Sequence, residues 1–170
     1  MAEEAPAAAD AEAEATGTTD LAPAFRLAAG HFATGVTVVT SLGPTGTTVN
    51  AVCSLSLHPP RFLVCFDRAS RTLAAVRASH RLAVNVLAGD QRALAVRFAW
   101  ADPEVDKFEG VGYRPLGGLP VLDGAVAWMA GEVREILPGG DHEIAIVEAE
   151  SLGAPGGKPL LFHAGEYRGG

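Results

Sequence analysis

Residues 70–72, the segment SRT, combine two hydroxyl groups and a guanidinium at the predicted start of a helix. The N-terminus of a helix has unpaired N–H groups and a partial positive charge. Together with the hydroxyls of this segment and the guanidinium of Arg71 or Arg68, these groups would form a small site for a phosphate. Simple N-capping by Ser70 is the alternative, and this motif alone favours it.

Residues 50–60, NAVCSLSLHPP, place short polar side chains before two prolines. Pro59 and Pro60 lack an N–H donor and hold the backbone extended, so we expect the preceding residues to leave their strand and expose main-chain N–H groups. Small side chains would let a flat ligand lie against that backbone, and Asn50 could bond a polyol or a ring edge. A sheet edge with solvated serines explains the segment alone equally well.

Residues 139–144, GGDHEI, predict a tight turn followed by a strand. His142 would stand at the start of that strand, beside Asp141. A lone histidine is more often structural than functional, and no nearby Ser or Cys nucleophile forms a triad with it.

The elements that must position these segments follow from local patterns. We predict helices at 20–35, 70–79 and 89–100, the first capped by Asp20, ended by Gly35 and carrying Leu21, Phe25, Ala28 and Phe32 on one face. We predict strands at 36–42, 47–52, 61–67, 81–87, 125–136, 141–152 and 159–167, and a loop rich in Gly and Pro at 101–124. About seven strands joined mostly by hairpins, without strict β-α-β alternation, favour an antiparallel barrel with flanking helices over a doubly wound parallel sheet.

Composition and charge limit the classes of function that this chain can have. The chain has 170 residues, 48% of them hydrophobic, which suits one well-buried domain. Six of the 20 acidic residues lie in 1–20, which has no Lys or Arg, so the remainder has 14 acidic and 13 basic residues. A nearly neutral body argues against nucleic acid as the main partner. We therefore predict a disordered acidic Ala/Glu tail at 1–20 and one domain at 21–170.

Several common motifs and signals are missing from the sequence. No apolar run approaches the roughly 20 residues that span a membrane, and the acidic N-terminus has no features of a secretory signal, so we expect a cytoplasmic protein. The patterns GxGxxG, GxxxxGK[ST], HExxH and GxSxG are absent. Cys53 and Cys65 have no metal-ligand spacing, so we expect two reduced thiols and no metal site.

The order of eight segments resembles the short-chain flavin reductases, the small reductase components of two-component flavin-dependent monooxygenases. The segments are FATGVTVVT, TVNAVCSLSLHPP, SRT, VNVLAGDQ, RFA, DKFEGV, GGDHEI and PLLFHAGEY. The resemblance runs from about residue 25 to 168 and leaves the tail outside. It implies a mainly β fold with flanking helices, a split β-barrel of Greek-key type (the FMN-binding split barrel), and a homodimer.

The resemblance also implies an activity: NADH or NADPH reduces FMN or FAD, and the reduced flavin passes transiently to a partner monooxygenase. Hydride would move from nicotinamide C4 to flavin N5, chemistry that the cofactors supply. Main-chain N–H groups of residues 51–57 would stabilise negative charge on the flavin. The preference for FMN or FAD, and for NADH or NADPH, stays open.

Site residues follow from the resemblance, position by position. Those near the flavin ring and ribityl chain are Gly35, Val36, Thr37, Asn50, Ala51, Ser54, Leu55, Ser56 and Leu57. Those for the flavin phosphate are Ser70, Arg71 and Thr72, and those near the nicotinamide nucleotide are Gly140, Asp141 and His142. His142 is the candidate catalytic residue, which would position the nicotinamide rather than shuttle a proton. Lys107 and Phe108 match the family pattern without an assigned role.

Two alternatives belong to other classes of function. A non-catalytic flavin-binding split-barrel protein would share the fold but lack a nicotinamide site, and the intact GGDHEI segment argues against it. A dimeric interaction domain would bind no flavin at all.

Overall fold

The structure, a computed structural model, describes residues 20–102 and 104–169. The predicted tail at 1–20 lies outside the described residues, apart from Asp20. Among the described helices, none combines the length and the apolar character that a membrane crossing requires.

The described chain is mainly β with three short helices, as predicted. The helices are α1 (Ala22–Gly30), α2 (Arg71–Ser79) and α3 (Arg92–Ala99). The strands are β1 (Thr34–Gly35), β2 (Thr37–Ser41), β3 (Thr45–Val49), β4 (Val52–Leu57), β5 (Pro60–Asp67), β6 (Arg81–Val86), β7 (Tyr113–Leu116), β8 (Leu119–Leu122), β9 (Ala127–Gly139), β10 (His142–Gly153), β11 (Leu161–His163) and β12 (Glu166–Arg168).

Seven strands form one antiparallel sheet in the order β3-β2-β6-β9-β10-β5-β4. The two edge strands, β3 and β4, are consecutive in the chain and are separated only by Asn50 and Ala51. Three peptide units span at most about 11 Å, whereas six inter-strand spacings in a flat sheet would cover about 29 Å. The sheet must therefore curl until its edges meet, and β3 does contact β5. We call the place where the edges meet, spanned by Asn50 and Ala51, the seam.

The main hydrophobic core lies inside this curled sheet. Along β5, Phe62, Val64 and Phe66 are buried while the residues between them are partly exposed, which is the period-2 pattern of a strand with one buried face. From α2, Leu73 and Val76 pack against the same core. The apolar spacing of α2 thus fixes the helix, and its N-terminus, beside the end of β5.

A second core joins α3 to the sheet beside β1 and β11, which pair antiparallel. Phe98 of α3 is fully buried there, and the ring of Phe108 meets it edge-to-face at 5.0 Å between centroids. Gly46 of β3 allows this packing, because a Cβ on Gly46 would lie 2.9 Å from the Phe98 ring.

The first predicted helix is too long. It ends at Gly30, not at Gly35, because residues 34–36 instead pair with the chain near 160–162. Its predicted apolar face is not buried by the described residues: the exposed fractions are 73% for Phe25 and 79% for Phe32.

Two other segments contain more strands than predicted. The predicted loop at 101–124 contains the β7–β8 hairpin, whose turn uses Gly117 and Gly118 at positive φ. A two-stranded ribbon has only edge strands, so it tolerates the prolines that pointed to a loop. The predicted strand at 159–167 is divided into β11 and β12 by a turn at Ala164 and Gly165, both at positive φ.

The prediction that residues 50–60 leave their strand is wrong for most of the segment. Residues 52–57 form β4, an edge strand that pairs with β5, with a bulge between Ser54 and Ser56. The prolines fit because they lie at the turn and at the first residue of β5, where no ladder donor is required. Only Asn50 and Ala51 leave the ladder, at the seam.

Candidate active site

The N-terminus of α2 is capped as predicted. Ser70 Oγ accepts a hydrogen bond from the N–H of Leu73 at 3.4 Å. Just before it, Asp67 Oδ1 accepts the N–H of Ala69 at 2.7 Å. This tight connection places Ser70, Arg71 and Thr72 at the end of β5.

The β9–β10 turn lies beside the same end of β5. His142 is opposite Asp67 in the β10–β5 ladder, and the N–H of Arg68 donates to the carbonyl of Asp141 at 3.3 Å. Gly140 supplies the positive φ of 78° that this two-residue turn needs. The segments SRT and GDH, about 70 positions apart in sequence, therefore become neighbours.

His142 is oriented by the residue that precedes it. Its Nδ1 lies 2.8 Å from Asp141 Oδ1. This hydrogen bond, together with the charge of His142, holds the pKa of the Asp141 carboxyl below its usual range. The His142 side chain remains 45% exposed, so a ligand can reach part of the imidazole.

A cavity of about 160 Å³ joins residues of β3 to residues from four other places in the fold. Asn50 and Ala51 come from the seam, Ser70 from the start of α2, Cys65 from β5 and His142 from β10. Burial raises the pKa of the Cys65 thiol, so this sulfur stays protonated and is a poor nucleophile. The cavity suits binding through short polar side chains and backbone rather than covalent catalysis.

Asn50 and Thr48 also border a second hollow beside the seam. This hollow has a volume of about 190 Å³ and is lined by Val36, Thr48, Phe162 and Tyr167 as well. The rings of Phe162 and Tyr167 meet edge-to-face at 5.2 Å. A planar ligand along the seam would thus have polar groups on one side and an aromatic wall on the other.

A larger cleft of about 410 Å³ begins at the α2 N-terminus, and we call it the α2 cleft. It shares Thr47, Asp67 and Ser70 with the smaller cavity, so the two are contiguous. Its remaining lining residues are Pro44, Thr45, Gly46, Ala69, Arg71, Thr72, Ala99, Trp100, Ala101, Val105, Asp106, Lys107 and Phe108.

Two cations lie close together in the α2 cleft. Lys107 Nζ donates to the carbonyl oxygens of Phe98 at 2.8 Å and Gly46 at 3.3 Å. Burial, and then the charge of Arg71, lower the pKa of the Lys107 amine. Arg71 also donates to the carbonyl of Asp102 at 3.0 Å. An anion between these groups would offset their mutual repulsion.

The remaining predicted residues divide into two groups. Thr37 is buried and donates to the carbonyl of Val49 at 2.6 Å, so its hydroxyl holds β2 to β3, and Gly35 is exposed in β1. The other group lies along β4 and comprises Ser54, Leu55, Ser56 and Leu57. Within the described chain, none of these four lines the three cavities.

The β4 group lies at a distance from the cavity at the seam. Ser54 pairs with Phe62, five positions along β5 from Asp67, a separation of about 16 Å. The structure therefore brings Asn50, Ala51, Ser70 and His142 together and leaves the β4 group aside.

Sequence reasoning missed the contribution of Trp100, Thr48 and Tyr167 to these cavities. Tyr167 lies in one of the quoted segments but had no assigned role. Trp100 gave no motif signal, because an aromatic residue at a helix end is common in any fold.

The chain is similar in sequence to known flavin reductases. The family described as flavin reductase like domain matches residues 29–170. The flavin-dependent monooxygenase, reductase subunit HsaB, of Mycobacterium tuberculosis (strain ATCC 25618 / H37Rv) is 38% identical over 152 aligned positions, and the alignment covers 85% of this chain and 80% of that protein. The NADH-dependent flavin reductase of a Rhodococcus species is 36% identical over 150 residues, covering 85% of this chain and 84% of that one.

A solved structure agrees closely in shape. The Streptomyces globisporus C-1027 NADH:FAD oxidoreductase SgcE6, in complex with NAD and FAD fragments, superposes with a TM-score of 0.84 at 35% identity. The match covers 92% of this chain and 96% of that chain.

Proposed function

The chain belongs to the flavin reductase-like domain family, and from this premise we propose that it is an NAD(P)H-dependent flavin reductase. The resemblance drawn from the ordered motifs is confirmed at the family level. The activity is an oxidoreductase reaction: reduced nicotinamide reduces FMN or FAD, and the reduced flavin is supplied to a partner monooxygenase. The observation that carries the proposal is the convergence of Asn50, Ala51, Ser70 and His142 on one cavity, which adjoins the α2 cleft at Ser70.

The residues present fit a flavin. The seam offers a surface of backbone and short side chains at Asn50 and Ala51, which would contact the isoalloxazine ring. Ser70, Arg71 and Thr72, with Lys107, would hold the phosphate at the α2 N-terminus. When bound, the flavin supplies the hydride-accepting chemistry, and the protein supplies orientation.

We propose that His142 positions the nicotinamide nucleotide. Asp141 holds the imidazole through its Nδ1, and His142 lines the same cavity as Asn50 and Ala51. Gly140 and Asp141 form the turn that sets the position of His142. Holding two reactants at a fixed distance is the main contribution that this site can make.

The finer fold assignment and the oligomeric state belong to the same proposal. A sheet that curls until its edges meet at the seam, without a ladder between β3 and β4 in the described chain, supports a split β-barrel. Leu55 and Leu57 on the edge strand β4 are 49% and 80% exposed, which supports a homodimer that covers them. The flavin contacts expected from Ser54 to Leu57 stay a prediction, since these residues line none of the three cavities. Light scattering should give the mass of a dimer, and a monomer would contradict this part.

Steady-state oxidation of NADH and NADPH with added FMN or FAD tests the activity. We expect oxidation well above the background of free flavin alone. We propose a cytoplasmic location, where NAD(P)H is available. Flavin binding without oxidation would favour a non-catalytic flavin-binding protein. An absence of any flavin binding would favour the dimeric interaction domain.

A further inference from the structure

The α2 cleft is much larger than the space that one flavin phosphate needs. Its volume of about 410 Å³ falls in the range of about 300–1,000 Å³ that is usual for whole small-molecule sites. One phosphate at the α2 N-terminus would fill a minor part of this space. The rest of the lining includes Trp100, Phe108 and Pro44.

Trp100 presents an exposed aromatic surface from a fixed backbone. It follows the last turn of α3, where its N–H donates to the carbonyl of Arg97 at 3.3 Å. The preceding Phe98 is fully buried against Phe108, so the end of α3 is firmly anchored. The Trp100 residue nevertheless remains 50% exposed at the cleft. Such a preformed ring binds a flat aromatic ligand with little loss of conformational entropy.

The charges between the α2 N-terminus and Trp100 suit more than one phosphate. Arg71 and Lys107 both line the cleft, and Lys107 is held in place by the carbonyls of Phe98 and Gly46. Two carboxylates also line it, and each already accepts a main-chain N–H: Asp67 from Ala69 at 2.7 Å and Asp106 from Phe108 at 2.9 Å. The cleft therefore combines a helix N-terminus, two cations and an aromatic ring.

We infer that the α2 cleft binds the adenylate half of FAD, with adenine stacked on Trp100 and the second phosphate at Lys107. FMN lacks this adenylate, so the protein should prefer FAD to FMN. The inference rests on the proposed flavin reductase function and selects one of its two flavin substrates.

Flavin fluorescence titrations of the wild type and of Trp100→Ala test this assignment. The wild type should bind FAD at least about tenfold more tightly than FMN. Because stacking on an aromatic side chain contributes roughly 1–3 kcal/mol per base, Trp100→Ala should weaken FAD binding by about 5- to 100-fold. FMN affinity should stay within about twofold, which also shows that the variant is folded.

Matched variants and a competitor sharpen the test. Trp100→Phe should retain most of the FAD preference, and Phe25→Ala, which removes an exposed aromatic ring outside the three cavities, should change neither affinity. AMP should compete with FAD for the wild type and have little effect on FMN binding.

Equal affinity of the wild type for FAD and FMN would overturn the inference, and so would an equal loss of both in Trp100→Ala. An unchanged FAD affinity with a raised KM for NADH would assign the cleft to the adenylate of the nicotinamide nucleotide and would also overturn it. If both flavins bind equally and are reduced, only this inference fails. If neither flavin binds, the proposed function fails.

Discussion

His142 and Asp141 form the most specific pair of side chains at the site. Asp141 orients the imidazole at 2.8 Å, and the fold places both residues at a turn tied to Arg68. The pair is built from adjacent residues, so its geometry depends on the turn rather than on distant packing.

Replacement of His142 by alanine should affect nicotinamide binding and spare the flavin. We expect KM for NAD(P)H to rise by about tenfold, which corresponds to losing roughly one charged or polar contact. Flavin affinity, measured by fluorescence titration, should remain unchanged. Lost flavin affinity with a normal nicotinamide KM would refute the assigned role.

The Asp141 carboxyl should make stability depend on pH in acid. Its pKa in the folded protein lies below its ordinary value of 3.8, so its stabilising effect is present above that value and is lost as pH falls through the folded-state pKa. We expect wild type to have a higher urea midpoint than Asp141→Asn at pH 5, with the difference disappearing towards pH 2–3. A difference that stays constant over this range would contradict the prediction.

At the scale of elements, α2 links the core to the binding site. Leu73 and Val76 hold the helix in the core, and Ser70 caps the end that faces the cavities. The first turn of α2 should therefore contribute both to stability and to ligand binding.

Removal of the cap should affect both properties. We expect Ser70→Ala to lower the free energy of unfolding by about 1 kcal/mol, because the N–H of Leu73 loses its partner. FMN and FAD affinities should fall together, since both flavins carry the phosphate that we propose binds here. Ser70→Asp provides the control: it keeps the cap but adds a negative charge, so it should recover stability without recovering flavin affinity. Recovery of flavin affinity in that variant would count against a phosphate at this helix end.

Local patterns predicted some elements and not others, for physical reasons. The helix α2 was predicted with nearly correct bounds, because its cap and its apolar spacing are both local. Strand β4 was not, since two prolines suggested a loop and only the ladder with β5 shows that they lie at tolerated positions. The site residues Asn50, Ser70 and His142 could be named from the resemblance. That Ser54 lies aside, and that Trp100 faces the cleft, depends on tertiary contacts that no local pattern encodes.

At the scale of the whole molecule, the curl of the sheet forms the seam, where we propose that the flavin ring binds. Ala51 lies there with its carbonyl bonded to the N–H of Cys65 at 3.0 Å, so its backbone is fixed while its side chain is exposed. Bulk at this position would occupy the space proposed for the flavin ring.

A bulky residue at the seam should therefore block flavin without unfolding the protein. We expect Ala51→Phe to weaken FMN and FAD by more than about tenfold, with the thermal midpoint within a few degrees of wild type. Leu152→Phe, at an exposed position of β10, provides the control and should bind both flavins normally. Normal flavin binding by Ala51→Phe would place the ring elsewhere.

The β5–β10 ladder determines when the cavity can form during translation. The hairpins β2–β3, β4–β5 and β9–β10 join neighbouring segments, but Asp67 and His142 pair across about 75 positions of sequence. Non-local pairing of this kind forms late, because a long loop must be closed first. During translation, a nascent chain that has not yet extended beyond β10 lacks the strand that completes the cavity. The cofactor can therefore be retained only by chains that already include β10, and products truncated before β10 should not bind it.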